Sequence, residues 1–197
     1  MKLTLGGVVA PTLALFALAT LPAHADVVNG GFETGTLSGW TQTGDVGFSG
    51  VDPFAARTGA YGAFFGPEQI GGISQSFATV AATSYLVSFS LALPDSLQPN
   101  SFSWSWNGVT QSPSFNNAAL FGYTNFSSMV SAIGASSTIA FSFRNPQSFW
   151  LLDNVSVTVA AVPEPETYAL MLAGLAALGA FARRRRTRAP GSRPIAS

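Results

Sequence analysis

The stretch Ser84-Tyr85-Leu86-Val87-Ser88-Phe89-Ser90-Leu91-Ala92-Leu93 decides the fold. Tyr85, Val87, Phe89, Leu91 and Leu93 share one side of it, while Ser88, Ser90 and Ala92 share the other, with Leu86 the exception. A period of two is the mark of a strand with one face buried. The pattern recurs downstream, where Phe102, Trp104 and Trp106 oppose Ser101, Ser103, Ser105 and Asn107, and where Ile139, Phe141 and Phe143 oppose Thr138, Ala140 and Ser142. Turn formers stand between the runs: Pro94-Asp95, Asn107-Gly108, Gly134 and Asn145-Pro146. Asn107-Gly108 is the strongest hairpin signal, because a two-residue turn needs residues that accept positive φ. Short strands without a long amphipathic helical window predict an antiparallel sandwich of two sheets.

Outward from this centre the chain divides into 1–25, 26–160 and 161–197. Its zero net charge is a cancellation: Lys2 alone in the first part, Arg57 and Arg144 against seven acids in the second (−5), and six arginines against Glu164 and Glu166 in the third (+4). A middle part with two cations cannot neutralise a run of phosphates, which excludes nucleic acid as its partner. The chain has no cysteine, so disulfides, thiolate zinc sites and cysteine nucleophiles are excluded as well. Ser, Thr, Asn and Gln supply the outward polarity of the middle part in place of Lys and Glu. Such a surface suits a polysaccharide matrix better than partners selected by charge.

The two ends read as addresses. Lys2, an apolar stretch from Val8 to Leu21 and then Ala23-His24-Ala25 have the order of a secretory signal peptide cleaved between Ala25 and Asp26. Cleavage there removes His24, the only histidine, and with it the imidazole that a Ser-His-Asp hydrolase needs. At the other end, residues 167–182 form a sixteen-residue run without charge, followed by Arg183, Arg184, Arg185 and Arg186. As a helix this run is roughly 24 Å long, against a hydrocarbon core of about 30 Å, so it reads as a short transmembrane segment. The arginines stay cytoplasmic and put residues 26–160 on the far side.

The order of Val162-Pro163-Glu164-Pro165, apolar helix and arginine cluster resembles the PEP-CTERM sorting tail of Gram-negative bacteria that make exopolysaccharide. The resemblance covers 162–188: motif 162–166, helix 167–182 and basic cluster 183–188, with 189–197 left as a disordered end. It implies export through the secretion machinery, transient residence in the inner membrane and processing by an exosortase. Pro163, Glu164 and Pro165 would be the recognised residues, and the product would reach the cell surface or extracellular matrix.

Asn29-Gly30-Gly31-Phe32-Glu33 through Gly39-Trp40 is similar to the opening of galactose-binding-like and carbohydrate-binding-module jelly rolls. Arg57–Ala63 resembles their second strand region, Ile73–Phe77 their third and Trp150–Val157 their closing strand. The resemblance implies a jelly-roll sandwich over 26–160 and a structural calcium held by Glu33 and Asp153 together with backbone carbonyls. Independently, alternation sets Asp153 on the face of Leu151, Val155, Val157 and Val159. A carboxylate aimed at a core needs a partner: a metal, backbone amides of a turn, or one of Arg57 and Arg144.

For sugar binding, Trp40, Trp104, Trp106, Tyr123 and Trp150 offer ring faces, and Asn107, Asn116 and Asn117 offer amides; Trp104 and Trp106 alternate with serine at strand spacing, which favours the core over a platform. No catalytic residue is assigned. The expectation is a non-enzymatic exported protein associated with exopolysaccharide, with a carbohydrate-binding module proper as the alternative and a secreted polysaccharide hydrolase as the third reading.

Overall fold

A computed structural model describes residues 26–160 and 165–186. Ten strands run in chain order: β1 (Thr41–Gly44), β2 (Ser49–Asp52), β3 (Gly62–Phe65), β4 (Gly71–Ala78), β5 (Ser84–Leu93), β6 (Ser101–Trp106), β7 (Val109–Asn116), β8 (Phe121–Ser131), β9 (Ser136–Arg144) and β10 (Trp150–Val159). They form two five-stranded antiparallel sheets, ordered β1-β4-β9-β6-β7 and β2-β3-β10-β5-β8, which pack as a sandwich. The jelly-roll expectation holds.

The alternation seen in the sequence is what closes the core. Phe102, Trp104 and Trp106 of β6 pair across the ladder with Phe143, Phe141 and Ile139 of β9, and all six are buried. They meet Tyr85, Val87, Phe89, Leu91 and Leu93 from the opposite sheet. Rings dominate: Phe65 stacks on Phe143 at 4.1 Å, and Phe89 meets Trp104 and Phe141 edge-on. Each such burial contributes on the order of 1.5–3 kcal/mol. Among the described residues the core lies wholly between 27 and 157. Asn107 and Gly108 both have positive φ, 50° and 79°, and turn β6 into β7 as expected.

The opening segment is a plug. Phe32 is fully buried, Trp40 stacks beside it and donates its indole N–H to the carbonyl of Asn29, and Val155 N–H donates to the carbonyl of Gly30. Any side chain at Gly30 would collide with the backbone of β10, which is why the motif needs glycine there.

Two expectations require correction. Arg57–Tyr61 is a loop, and β3 begins only at Gly62. Asp153 does not share the face of Val155 and Val157, because β10 carries a bulge: its pairing with β5 passes from Asp153↔Ser90 to Ser156↔Ser88, and Asn154 within the bulge has φ 54°. One extra residue reverses the parity. Leu151 and Asp153 therefore point away from the main core, and Leu152, Val155 and Val157 point into it.

The C-terminal helix α1 (Pro165–Arg186) takes in the four arginines that the sequence placed after it. Among the described residues no helix is long and apolar enough to cross a membrane. Glu166 and Arg183 close off sixteen uncharged positions, roughly 24 Å of helix, so the segment expected to span at 167–182 is shorter than a hydrocarbon core of about 30 Å. Ala25, Pro163 and Glu164 lie outside the described residues, so the cleavage junction and most of the sorting motif have no structural account.

Candidate functional site

The outer face of the β2-β3-β10-β5-β8 sheet carries the candidate site. Because Tyr85, Val87, Phe89 and Leu91 face the core, the intervening Ser88 and Ser90 face outward, and their ladder partners share that face. The result is rows of three: Asp153, Ser90 and Asn125, then Ser156, Ser88 and Ser127. An open groove of about 660 Å³ lies over Ser88, Ser90, Asn125, Ser127 and Ser156, lined also by Arg57, Thr58 and Asn154, with Asp153 buried beneath. Its size falls in the range of about 300–1,000 Å³ usual for ligand sites.

The loop from Pro53 to Tyr61 crosses one end of this face and is held there by the two acids singled out in the sequence. Asp153 is 0% exposed. Its Oδ2 accepts the backbone N–H groups of Arg57 (2.9 Å) and Thr58 (3.1 Å), and its Oδ1 accepts that of Asn154 (2.6 Å). Glu33 accepts from the backbone of Ala60 (2.9 Å) and Tyr61 (3.4 Å). Gly59, at φ +70°, lies against the Glu33 carboxylate so closely that a side chain there would strike it. The alternative that Asp153 meets backbone amides is what the structure shows. Neither arginine side chain reaches Glu33 or Asp153: Arg57 Nη1 donates to Ser90 Oγ (2.6 Å), and Arg144 Nε donates to the carbonyl of Glu68 (2.8 Å).

Ser90 Oγ in turn donates to Asn125 Oδ1 at 2.9 Å, leaving the Asn125 amide nitrogen exposed over the groove. Ser88 and Ser156 pair at 2.8 Å. A guanidinium carries five N–H donors, and Arg57 spends one on protein among the described residues, so the groove has fixed donors to offer a ligand. Tyr123 borders the covered end and donates to the carbonyl of Ala55. Burial, and after it the Asp153 carboxylate, push its phenol far above the usual value against a smaller lowering by Arg57, so it remains a donor at every physiological pH. Beyond it Phe54, Phe64 and Phe149 form a partly exposed ring cluster with centroids 5.2–6.1 Å apart.

The tryptophans do not serve as platforms. Trp40, Trp104, Trp106 and Trp150 are all buried. Asn107 is spent on Ser137 and Thr138, and Asn117 accepts from Asn100 within a turn; Asn116 is exposed but on the opposite sheet. The groove residues Ser90, Asn125, Ser127, Asn154 and Ser156 were missed by sequence reasoning. The outward serines of β5 were legible as a face, but Asn125 lies on β8, whose weak alternation hid the strand.

Glu33 and Asp153 both approach Gly31, a point one bond from its Cα being 3.8 Å from Glu33 Cγ and 3.9 Å from Asp153 Oδ1, while the Glu33 carboxylate itself lies against Gly59. A carboxylate offers about four acceptor positions, and the amides fill three on Asp153 and two on Glu33. The donor set left over is therefore oxygen only, which is what a hard cation takes. Among the described residues no third Asp, Glu or His joins them, so further ligands there would be carbonyl oxygens.

With this geometry in view, the fold is that of the carbohydrate-binding-module sandwiches. The chain is similar to TmCBM61, a structure solved in complex with β-1,4-galactotriose, with TM-score 0.56 and 18% identity over 72% of this chain and 100% of that one. It is similar to a family 16 carbohydrate-binding module, with TM-score 0.51 and 14% identity over 67% and 98%, and to the tandem CBM22 domains of Paenibacillus barcinonensis Xyn10C, with TM-score 0.54 and 20% identity over 76% and 49%. At these identities the likeness is one of fold. Residues 161–186 match the PEP-CTERM protein-sorting motif. No curated protein matches the chain in sequence.

Proposed function

We propose that the protein is an exported carbohydrate-binding protein, sorted by an exosortase through its tail, that holds exopolysaccharide at the cell surface or in the extracellular matrix. The observation that carries the reading is the groove over Arg57, Ser90 and Asn125, where fixed, unspent donors converge on an exposed sheet face. Sugar hydroxyls are recognised by such side chains, and the Phe54 cluster at the covered end supplies ring faces for stacking. Binding is favoured over hydrolysis because no carboxylate lines the groove, and glycoside hydrolysis requires two flanking the bond.

In this reading calcium is a structural ion held by Glu33 and Asp153, where it would neutralise their carboxylates and tie the opening segment, the 53–61 loop and β10 together. The signal peptide ending at Ala25 and the motif Pro163-Glu164-Pro165 supply entry and processing.

The test is affinity electrophoresis of residues 26–160, which contain the core described above, in gels holding the producing cell's exopolysaccharide, β-1,4-galactan or xylan. Retardation by at least one polymer is expected, reduced about 10-fold or more in affinity by Arg57→Ala or Asn125→Ala and untouched by Ser103→Ala on the opposite sheet. Retardation equal in all variants, or none, would refute the site. Intact mass of the native protein checks the tail: a chain beginning at Asp26 and ending near Pro163 is expected, and alanine at 163–165 should leave the precursor unprocessed.

A further inference from the structure

The sandwich has two unlike ends. At one end the turn 79–83, the turn 132–135 and the hairpin tip 107–109 are laced together: Thr79 N–H donates to Ala135 O, Ala82 N–H to Ala132 O, and Asn107 N–H to Thr138 O. Ile133 there is 83% exposed, and Val80, Val109 and Met129 are each more than half exposed. Trp106, Val109, Met129, Val130 and Ile133 border a shallow hollow of about 300 Å³. Not one residue of 78–84, 105–111, 128–138 or 157–160 is ionisable as Asp, Glu, Lys, Arg or His.

The other end also exposes apolar side chains, but beside charge. Val46 adjoins Asp45, Ile70 follows Glu68 by two residues, and Leu97 follows Asp95 by two. Arg144 and Gln147 tie those loops together through Glu68 O and Gln98 O. Exposed apolar groups alone do not separate the ends. Their freedom from carboxylates does, because burying a charge in a low-dielectric interface is costly.

The chain leaves the sandwich at the uncharged end. Ala160 N–H donates to Ser84 O, and α1 starts five residues later at Pro165. Five residues reach about 17 Å at full extension, so whatever receives α1 lies within that distance of the uncharged end. The sixteen uncharged positions of α1 fall about 6 Å short of a hydrocarbon core, and a short segment draws its flanks into the interface.

We infer that the end of the sandwich bearing Val80, Val109, Met129 and Ile133 seats on the head-group region of the bilayer while the tail is in the membrane. It lets go when the tail is cut. This rests on reading the tail as membrane-inserted. The uncharged end is a second, weak lipid contact that holds the linker at the membrane surface, where a membrane-embedded processing enzyme can reach it. Apolar side chains without a covalent anchor bind membranes only marginally, so release follows cleavage.

The chain has no cysteine, which permits single-site labelling. Ile133→Cys and Ile70→Cys, both at exposed positions, are introduced separately into the full-length precursor. Each is labelled with an environment-sensitive fluorophore and reconstituted in phosphatidylethanolamine–phosphatidylglycerol vesicles carrying a lipid-attached quencher. The expected result is a blue shift and quenching at 133 and neither at 70. Water-like emission at both positions in a chain that pellets with vesicles would overturn the inference and leave the tail reading standing. A chain that does not pellet would overturn both. Shielding of 133 without vesicles would assign the patch to a second copy or to α1 and overturn it too.

Discussion

The two outer faces of the sandwich are built from the same short polar residues and differ in what is fixed on them. On the β1-β4-β9-β6-β7 sheet, Ser74, Ser76, Ser103, Ser105, Thr138 and Ser142 pair among themselves or face water; Ser76 and Thr138 meet at 2.7 Å. A hollow of about 530 Å³ lies there too, with no charged residue in its lining. On the other face, a buried carboxylate clamps a loop, the loop delivers Arg57, and Arg57 orders Ser90 and through it Asn125. Two hollows of similar size thus differ in preorganisation. A hollow becomes a site when its donors are held in place before the ligand arrives.

The most forceful way to break the comparison is to remove the clamp. Asp153→Ala removes a fully buried carboxylate and leaves three part-buried backbone N–H groups without their acceptor, at a cost of about 3 kcal/mol in urea unfolding. Thr138→Val on the other face should stay within about 0.5 kcal/mol. Comparable losses for the two would mean that the clamp is not special. Next in size is calcium. Chelation should lower the melting temperature and added calcium restore it, by the equivalent of about 3 kcal/mol at a hundredfold excess over the dissociation constant; in Glu33→Gln the response should shrink. A melting curve indifferent to chelator would leave the amides as the only partners of the two acids.

The smallest effect belongs to a loop away from the site. Asp45 accepts from Gln69 N–H and Gly47 N–H, and these hydrogen bonds hold its carboxyl below the usual 3.8. A depressed folded pKa gives stability that is present above the unfolded value and lost as pH falls through the folded one. A slight acid loss below about pH 4 is therefore expected in the melting temperature, absent in Asp45→Asn, and small because the side chain is solvent-exposed.

Much of the fold was legible because β5, β6 and β9 are central strands with one buried face, and strict alternation reports such a face. The edge strands β7 and β8 were not, since Pro113 interrupts one and Tyr123, Asn125 and Met129 mix polarity in the other; edges are half-solvated and relax the pattern. The acids Glu33 and Asp153 were singled out by motif and both hold backbone amides of the 57–61 loop, yet the side of the sheet on which Asp153 lies was misread. A bulge leaves no signature in hydrophobic period beyond the parity it breaks. Tryptophan suits both sugar platforms and cores; the strand spacing of Trp104 and Trp106 favoured the core, and all four tryptophans are in fact buried.

The central claim is that ligand binds the clamped face and not its opposite. Titration of isotope-labelled residues 26–160 with oligosaccharides released from the producing cell's exopolysaccharide, followed by amide and side-chain chemical shifts, tests it most directly. Saturable shifts confined to Arg57, Ser88, Ser90, Asn125, Ser127 and Ser156 are the expected result. Shifts centred on Ser74, Ser103 and Ser142, or no saturable shifts with any fragment, would contradict it.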